Sequence, residues 1–583
     1  MQAQIRVAAA RSGVSERALT AVAERLGISL AASRQQVAIE DILGEIDALA
    51  TRVAELQTQL SQMSSADDPA IGALVAQART AVEQGDLDRA EALLGQARAA
   101  RAARRTARRE ELQAQLDAED MAEADVAAAQ AVVSILRADY VGAATLYGEA
   151  AEIAPESAVH ARWQLRTRQA EALFERGVRF NEPARIQEAI RLTETYALAL
   201  APREASPDDW AQTQNNLGNA LRELGARGDE DALARSVQAF ENALTVWPRD
   251  SNPSGWAMTQ MHLGNALVAR GDPLSVALSI QAYENALSVW TRENAAAGWA
   301  RVQGNLAGAL LLDLRSRNDP AGRAAAAAQA ASTAQNPELA AAISALTGGY
   351  DGAPRAAART RSIEAARNAL TVFTPETGEN WAVAQLTLAQ ALAWDTNDRT
   401  SLSESAAAFE AALTLLTRAR HPAYWMVAQR GLARALKTWG TSEIIWGEDE
   451  QGRAIFNRSA EAWETVISAL SREESPAPWA DAQDELADAL WKASLARNPA
   501  MVERAVAARE AALTVWTRER TPDRFAISSQ ELARGYYVQE RIPEARRAAQ
   551  AAIRAYESLN SQYGDTQAYY AREWIESALD RRH

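Results

Sequence analysis

Cysteine is absent from this chain of 583 residues. Disulfides, zinc–thiolate sites and cysteine nucleophiles are therefore excluded, and a reducing compartment such as the cytoplasm fits. Histidine is scarce: His160, His262, His421 and His583 are all there is. No two of them share metal-ligating spacing with each other or with a Glu, so no metal site is expected. Basic charge is short, with Lys plus Arg 61 against Asp plus Glu 76 and a net charge of −15. That balance opposes non-specific attraction to nucleic acid or anionic lipid. No apolar run reaches the ~18 residues of a membrane span. The N-terminal residues 1–13 hold only a short Ala-rich apolar stretch and make a poor signal peptide. No strand pattern and no Gly-rich phosphate loop are visible. Paired acids such as Asp208-Asp209 read as helix starts. The expectation is a cytoplasmic protein that is not an enzyme, with no cofactor, no metal and no membrane partner.

What is present is repetition. The stretch Trp210 to Leu221, W-A-Q-T-Q-N-N-L-G-N-A-L, returns at Trp256, Trp299, Trp381, Trp425 and Trp479, and more weakly at Phe525. A Leu follows seven residues after each aromatic: Leu217, Leu263, Leu306, Leu388, Leu432, Leu486 and Leu532. A second motif follows each copy but the last, in the style of A-F-E-N-A-L-T-V-W (Ala239 to Trp247). A repeat of about 45 residues signals a stacked array. Two intervals are long. The one between Trp299 and Trp381 spans nearly two periods and holds the Ala-rich segment 318–361, read as an eroded repeat in preference to an insertion. The one between Trp425 and Trp479 carries extra residues near 439–453, where Gly440, Gly447 and Gly452 predict an irregular loop.

Each repeat carries its own start signal. Ser206-Pro207-Asp208-Asp209 sets a capping residue, a proline at the first helical position and two acids at the positive end of the helix dipole. Asn252-Pro253, Ser475-Pro476 and Thr521-Pro522 repeat the device. The Trp then falls one turn in, where it can cover the hinge to the preceding helix. Gly218, and Ala307, Ala389, Ala433, Ala487 and Ala533 in its place, let the second helix approach closely.

Ahead of the array the chain is helical but less regular. Ile42, Ile46, Leu49, Val53, Leu56, Leu60 and Met63 alternate spacings of four and three, a heptad seam. It suits either self-association or a helix packed on the neighbouring domain. Ala18 to Val37 has the outline of a helix-turn-helix with its turn at 26–29, which opens a DNA-binding alternative. Hairpins follow around Gly85 to Leu94 and Ala138 to Pro155. Between them, Arg98, Arg101, Arg104, Arg105, Arg108 and Arg109 precede Glu110, Glu111, Asp117, Glu119 and Asp120, which reads as a solvated face. Residues 158–204 form a further hairpin with Trp163, Leu173, Ile186 and Ile190 as core candidates. The segments expected are 1–66, N-terminal helices with a short coiled coil; 67–205, divergent hairpins; 206–560, regular long repeats; and 561–583, a closing helix.

Leu217-Gly218, Leu221, Phe240, Ala243 and Pro248 resemble the signature of the tetratricopeptide repeat, as do Ala143, Tyr147, Ala150 and Pro155. The wording N-N-L-G-N-A-L and the long period are similar to the kinesin light chain repeats. The array also resembles the C-terminal halves of bacterial multidomain proteins, in which such repeats follow a protease-like, TIR-like or nucleotide-binding domain. Gly13 to Leu19 and Gly85 to Leu94 resemble the same group. The likeness runs over residues 70–560, and no effector domain is read ahead of it, so the family's activities are not carried over. The fold implied is all-α, a right-handed α-solenoid of helix-turn-helix repeats behind an N-terminal helical, coiled-coil segment.

In such solenoids the first helices line a concave groove. That places Gln212, Asn215, Asn219 and Arg222 in it, then Met258, Met261 and Asn265, then Arg301, then Arg430, Arg434 and Lys437, and finally Arg534 and Tyr537. The same residues share one helical face opposite the packing stripe. Asn both donates and accepts, which suits a peptide backbone, and Met suits adaptable apolar contacts. Those Asn side chains could equally be spent on bonds between repeats. The function expected is a scaffold binding a peptide or protein in the groove and coupling it to a separate effector in bacterial signalling or defence. The alternative is a self-assembling ring or filament with no groove ligand.

Overall fold

The computed structural model describes residues 2–25, 39–63, 68–316, 355–394, 398–494, 498–559 and 561–579. Among them there is no strand, and the fold is all-α. The chain divides into two compact units: Met1–Arg137 with Thr145–Leu165, and Ala138–Ala144 with Arg166–His583.

The first unit is built from α1 (Gln2–Ser12), α2 (Glu16–Arg25), α3 (Ile39–Met63), α4 (Pro69–Gln84) and α5 (Leu87–Leu136). Asp68 caps α4 through Ala70 N at 2.9 Å, and Gly85, at φ +79°, turns the chain into α5. The heptad positions of α3 are consumed here. Ile46, Leu49, Val53 and Leu60 are buried in one cluster with Ile5, Leu19, Ile71 and Val75. The coiled-coil seam from Ile46 to Leu60 is therefore the inner face of a small helical domain, and Met63 at its end stands exposed, at 45%. A helix this short gains more from packing on three neighbours than from one exposed seam. The turn of the helix-turn-helix outline lies in 26–38, outside the described residues. Trp163 is buried in this unit.

Two helices, α6 (Tyr140–Ile153) and α7 (Val159–Arg179), contribute residues to both units. The second unit continues with α8 (Pro183–Leu192), which runs on through a wider turn at Thr193–Ala197. Leu173, Ile186 and Ile190 are buried there as core residues. Helical hairpins follow: α9 (Pro207–Gly225) with α10 (Glu230–Leu244), α11 (Pro253–Arg270) with α12 (Pro273–Leu287), and α13 (Ala296–Ser316) with α14 (Arg355–Leu370). Next come α15 (Glu379–Ala393) with α16 (Arg399–Leu413), α17 (Pro422–Ile445) with α18 (Asp449–Ala469), α19 (Pro476–Ser494) with α20 (Pro499–Ala512), and α21 (Pro522–Val538) with α22 (Ile542–Ser558). Each second helix also packs on the next first helix, which is the geometry of a solenoid. Helix α23 (Gln562–Trp574) closes the series by burying Ala568 and Ala571 against Ala552 and Tyr556 of α22.

Close approach within a pair depends on the small residue of the signature. A Cβ on Gly218 would lie 2.7 Å from the Phe240 ring, and one on Gly264 would lie 2.5 Å from the Tyr283 ring. A buried serine then pins the second helix in register. Ser236 Oγ donates to Gly218 O (2.7 Å), Ser362 to Ala307 O (2.9 Å), Ser405 to Ala389 O (2.7 Å) and Ser459 to Ala433 O (2.8 Å). Each bond satisfies a hydroxyl inside an apolar contact, where an unpaired one would cost about 1–3 kcal/mol.

Most of the segment 318–361 falls outside the described residues; its end, 355–361, belongs to α14, which packs directly on α13 and carries that pair's serine pin, so residues 317–354 lie in sequence between the two helices of one pair. Three expectations change. The extra residues near 439–453 do not make an irregular loop: α17 and α18 are simply longer, and they turn at Gly447, φ +86°. Gly440 and Gly452 sit within helices that nearly touch, a Cβ on Gly440 falling 3.1 Å from Gly452 O. The helix starts differ in detail: Asn252 Oδ1 accepts from Gly255 N at 3.0 Å, whereas Ser206 and Thr521 make no side-chain cap bond. Finally, the indoles opening each pair are half-buried, Arg203 lying over Trp210 at 5.2 Å and Arg249 over Trp256 at 5.7 Å. The aromatic after the second helix is deeper in two pairs, where Trp247 and Trp516 are buried, while Trp290 is half-buried; Trp247 Nε1 donates to Asp208 Oδ1 at 2.9 Å.

Candidate functional site

The first helices α9, α11 and α13 carry the amide-rich part of the expected groove. There the polar side chains bond to one another. Asn215 Nδ2 donates to Thr259 Oγ1 (2.7 Å), and His262 Nδ1 stands 2.8 Å from Asn215 Oδ1 and 3.2 Å from Asn219 Nδ2. Asn265 Oδ1 accepts from Tyr283 OH (2.7 Å) and from Asn305 Nδ2 (2.8 Å). Asn215 is buried and Met261 lies in the core between pairs, so these two face the interior and are corrected as groove residues. Burial pushes His262 down to about 4, helped by the positive charges of Arg222 and Arg301, so the ring is neutral at pH 7. Gln212 and Arg301 are exposed, Met258 is half-buried beside Trp247, and Arg222 pairs with Glu223 at 3.1 Å.

The far end of the groove is closed as well. Lys437 pairs with Glu485 and, at 3.3 Å, with Asp488. Burial alone would lower the Lys437 ammonium, but the two carboxylates outweigh it and leave it raised. Asp484 takes Arg509 at 3.0 Å, and Gln530 Oε1 accepts from Tyr556 OH at 2.8 Å. Arg534 is bound to Glu531 at 2.7 Å, and Tyr537 packs edge-on against Trp574 of α23, ring centres 5.7 Å apart. A long side-chain ladder thus ties pair to pair where a ligand was expected.

Between these closed stretches lies an opening of about 410 Å³ on the groove side of α13, α15 and α17. Arg315 comes from α13, Gln390 and Ala393 from α15 with Trp394 just beyond its end, and Val427, Arg430, Arg434 and Thr438 from α17. Its floor is Leu402 and Phe409 of α16, both fully buried. Gly431 lets α17 lie directly on that floor, since a Cβ there would be 2.4 Å from Phe409 Cζ, and the apolar surface left accessible beside it is Val427, 44% exposed, and half-buried Trp394. Arg315 lies 5.9 Å from the Trp394 ring, and Arg434 lies 6.0 Å from that of Trp463. Among the described residues none of the three guanidiniums has a carboxylate within ion-pair distance. Arg430 and Arg434, one turn apart on α17, both line it. Arg315, Gln390 and Trp394 were missed. Gln390 is the Trp381 copy's counterpart of Asn219, and Arg315 lies one turn beyond the Arg222 position, so both could be reached by extending the stripe.

Such a site can hold a negatively charged group by several N–H donors while an apolar neighbour rests against Val427 and Trp394. Among the described residues no group of His, Cys, Asp or Glu is placed to hold a metal ion, and no helix is long and apolar enough to cross a membrane.

No protein-family model and no curated protein sequence matches the chain. Solved structures similar to it are helical. A monomeric IFIT1 mutant with Gppp-AAAA aligns at 13% identity over 74% of this chain and 90% of that one, TM-score 0.25. Yeast Tom70 aligns at 14% over 79% and 98%, TM-score 0.18. The Cut9–Hcn1 hetero-tetramer of the APC/C aligns at 13% over 94% and 95%, TM-score 0.19. These scores are too low to carry an argument, and the fold rests on the chain's own helix pairs, their glycine and alanine contacts and their serine pins. On that ground the protein is an all-α solenoid of stacked helix pairs.

Proposed function

We propose that this protein is a non-enzymatic scaffold whose groove captures an extended segment of a partner protein. The opening on α13, α15 and α17 takes an acidic side chain or terminal carboxylate next to an apolar residue. One observation carries the reading: Arg315, Arg430 and Arg434 line one opening beside the accessible apolar side chains Val427 and Trp394, with no described carboxylate among them, in a chain of net charge −15. The neighbouring stretches favour the same place, because their polar groups are already engaged with each other. Coupling of the captured segment to a separate effector, in a bacterial cytoplasm, completes the role.

The test is peptide display against the full chain, followed by fluorescence anisotropy of the selected peptides. The wild type is expected to enrich short sequences with Asp or Glu beside Leu or Phe. Arg430→Ala with Arg434→Ala is expected to weaken them by at least about 100-fold, the scale of losing two charge-assisted contacts. Equal binding by the double variant, with its circular dichroism unchanged, would refute the site.

A further inference from the structure

Helix α5 runs for 50 residues, Leu87–Leu136, and its middle is not packed. From Arg101 to Leu116 every residue is exposed, as are Glu119, Asp120 and Glu123. Near its start Arg101 donates to Met63 O at 3.4 Å and Arg104 pairs with Asp68 at 2.7 Å; on its back Ala124 and Ala131 are fully buried and Asp117 accepts from Ser157 Oγ at 2.7 Å. Asp117, Ala124 and Ala131 lie seven residues apart, on a single stripe. A different stripe faces solvent, and it reads Arg105, Arg109, Leu112, Leu116, Glu119, Glu123, with spacings alternating between four and three. Leu112 is 53% and Leu116 54% exposed.

Charge along this stretch is segregated instead of interleaved. Arg101 and Arg105, Arg105 and Arg109, and Glu119 and Glu123 are like-charged pairs one turn apart, each of which disfavours the helix. Arg105, Arg108, Arg109, Glu119, Asp120 and Glu123 have no ion pair among the described residues. The pattern has a particular symmetry. Turned end for end about residue 114, the stripe matches itself with signs reversed: Arg105 meets Glu123, Arg109 meets Glu119, and Leu112 meets Leu116. Arg108 and Asp120, beside the stripe, obey the same relation. A two-fold axis requires this of a surface that binds its own copy.

We propose that the exposed middle of α5 is a homodimerisation surface, on which the same helix of a second copy lies antiparallel. Two Leu112–Leu116 contacts form the centre, and Arg105–Glu123, Arg108–Asp120 and Arg109–Glu119 close both flanks, each made twice by symmetry. This face is separate from the heptad series of α3, of which Ile46, Leu49, Val53 and Leu60 are buried in the first unit's own core. A contact of two leucines and exposed ion pairs predicts a weak dimer that salt dissociates.

The test is sedimentation of the full-length chain over a concentration series. Wild type is expected to dimerise at low salt and to weaken at least about tenfold between ~50 and ~300 mM salt. Variant one carries Arg105→Glu, Arg108→Glu and Arg109→Glu; variant two carries Glu119→Arg, Asp120→Arg and Glu123→Arg. Each alone is expected to be monomeric, and an equimolar mixture is expected to restore a dimer containing one of each. Leu112→Glu with Leu116→Glu, both exposed positions, is expected to be monomeric and not rescued by mixing. A monomeric wild type throughout, a dimer that survives in either triple variant, or a mixture that stays monomeric would each overturn the proposal.

Discussion

At the scale of single residues, polar side chains do more structural work than the sequence suggested. Asn215, Asn219 and His262 suit a ligand by type, yet they bond to one another across pairs. Sequence gives the face of a helix but not how near the next helix comes, and that distance decides whether an amide meets a peptide or another amide. His262 makes the point measurable. Its native value of about 4 lies below the ordinary 6.5. The unfolded chain therefore binds the proton first as pH falls, so stability is full above about pH 6.5 and declines toward pH 4. His262→Gln retains a hydrogen-bonding side chain and removes the titration. Urea melts at pH 7 and pH 5 are expected to show wild type losing about 1–2 kcal/mol more than the variant. Parallel losses in the two proteins would mean the ring is not desolvated in the native state.

At the scale of elements, the helix pairs were legible because periodicity survives divergence. Leu217, Phe240 and their counterparts fall where the signature places them, and all are buried. Lengths were less legible. Gly440 and Gly452 read as loop residues because glycine is disfavoured inside helices; here it permits α17 and α18 to touch. The recurrent serine four residues before the second helix's aromatic, as in Ser236 and Phe240, was visible but had no meaning until its acceptor was in place. Two alanine substitutions separate propensity from packing. Gly95 of α5 has nothing within 4 Å of an added Cβ, and Gly95→Ala is expected to stabilise by about 0.5–1 kcal/mol. An added Cβ on Gly452 would lie 2.7 Å from Ile444 Cγ1, so Gly452→Ala is expected to destabilise by about 1–3 kcal/mol despite the same propensity gain. Thermal melts that move both variants the same way would contradict the close contact of α17 and α18.

At the scale of the molecule, the first helices of successive pairs stack within the second unit, and side-chain pairing decides how much of their shared face is free. The basic stretch Arg430–Arg434 was readable from one helix. Its meaning depends on Arg315 and Trp394, separated from it in sequence by many residues and joined only by stacking. The proposal that this opening holds the partner is tested by hydrogen exchange of the full chain, with and without a display-selected acidic peptide. Slowed exchange is expected in the last turns of α13 and α15 and in residues 427–438 of α17, with α9 and α11 unchanged. Protection centred on α9 and α11, or none in 427–438 while the peptide is bound, would contradict it.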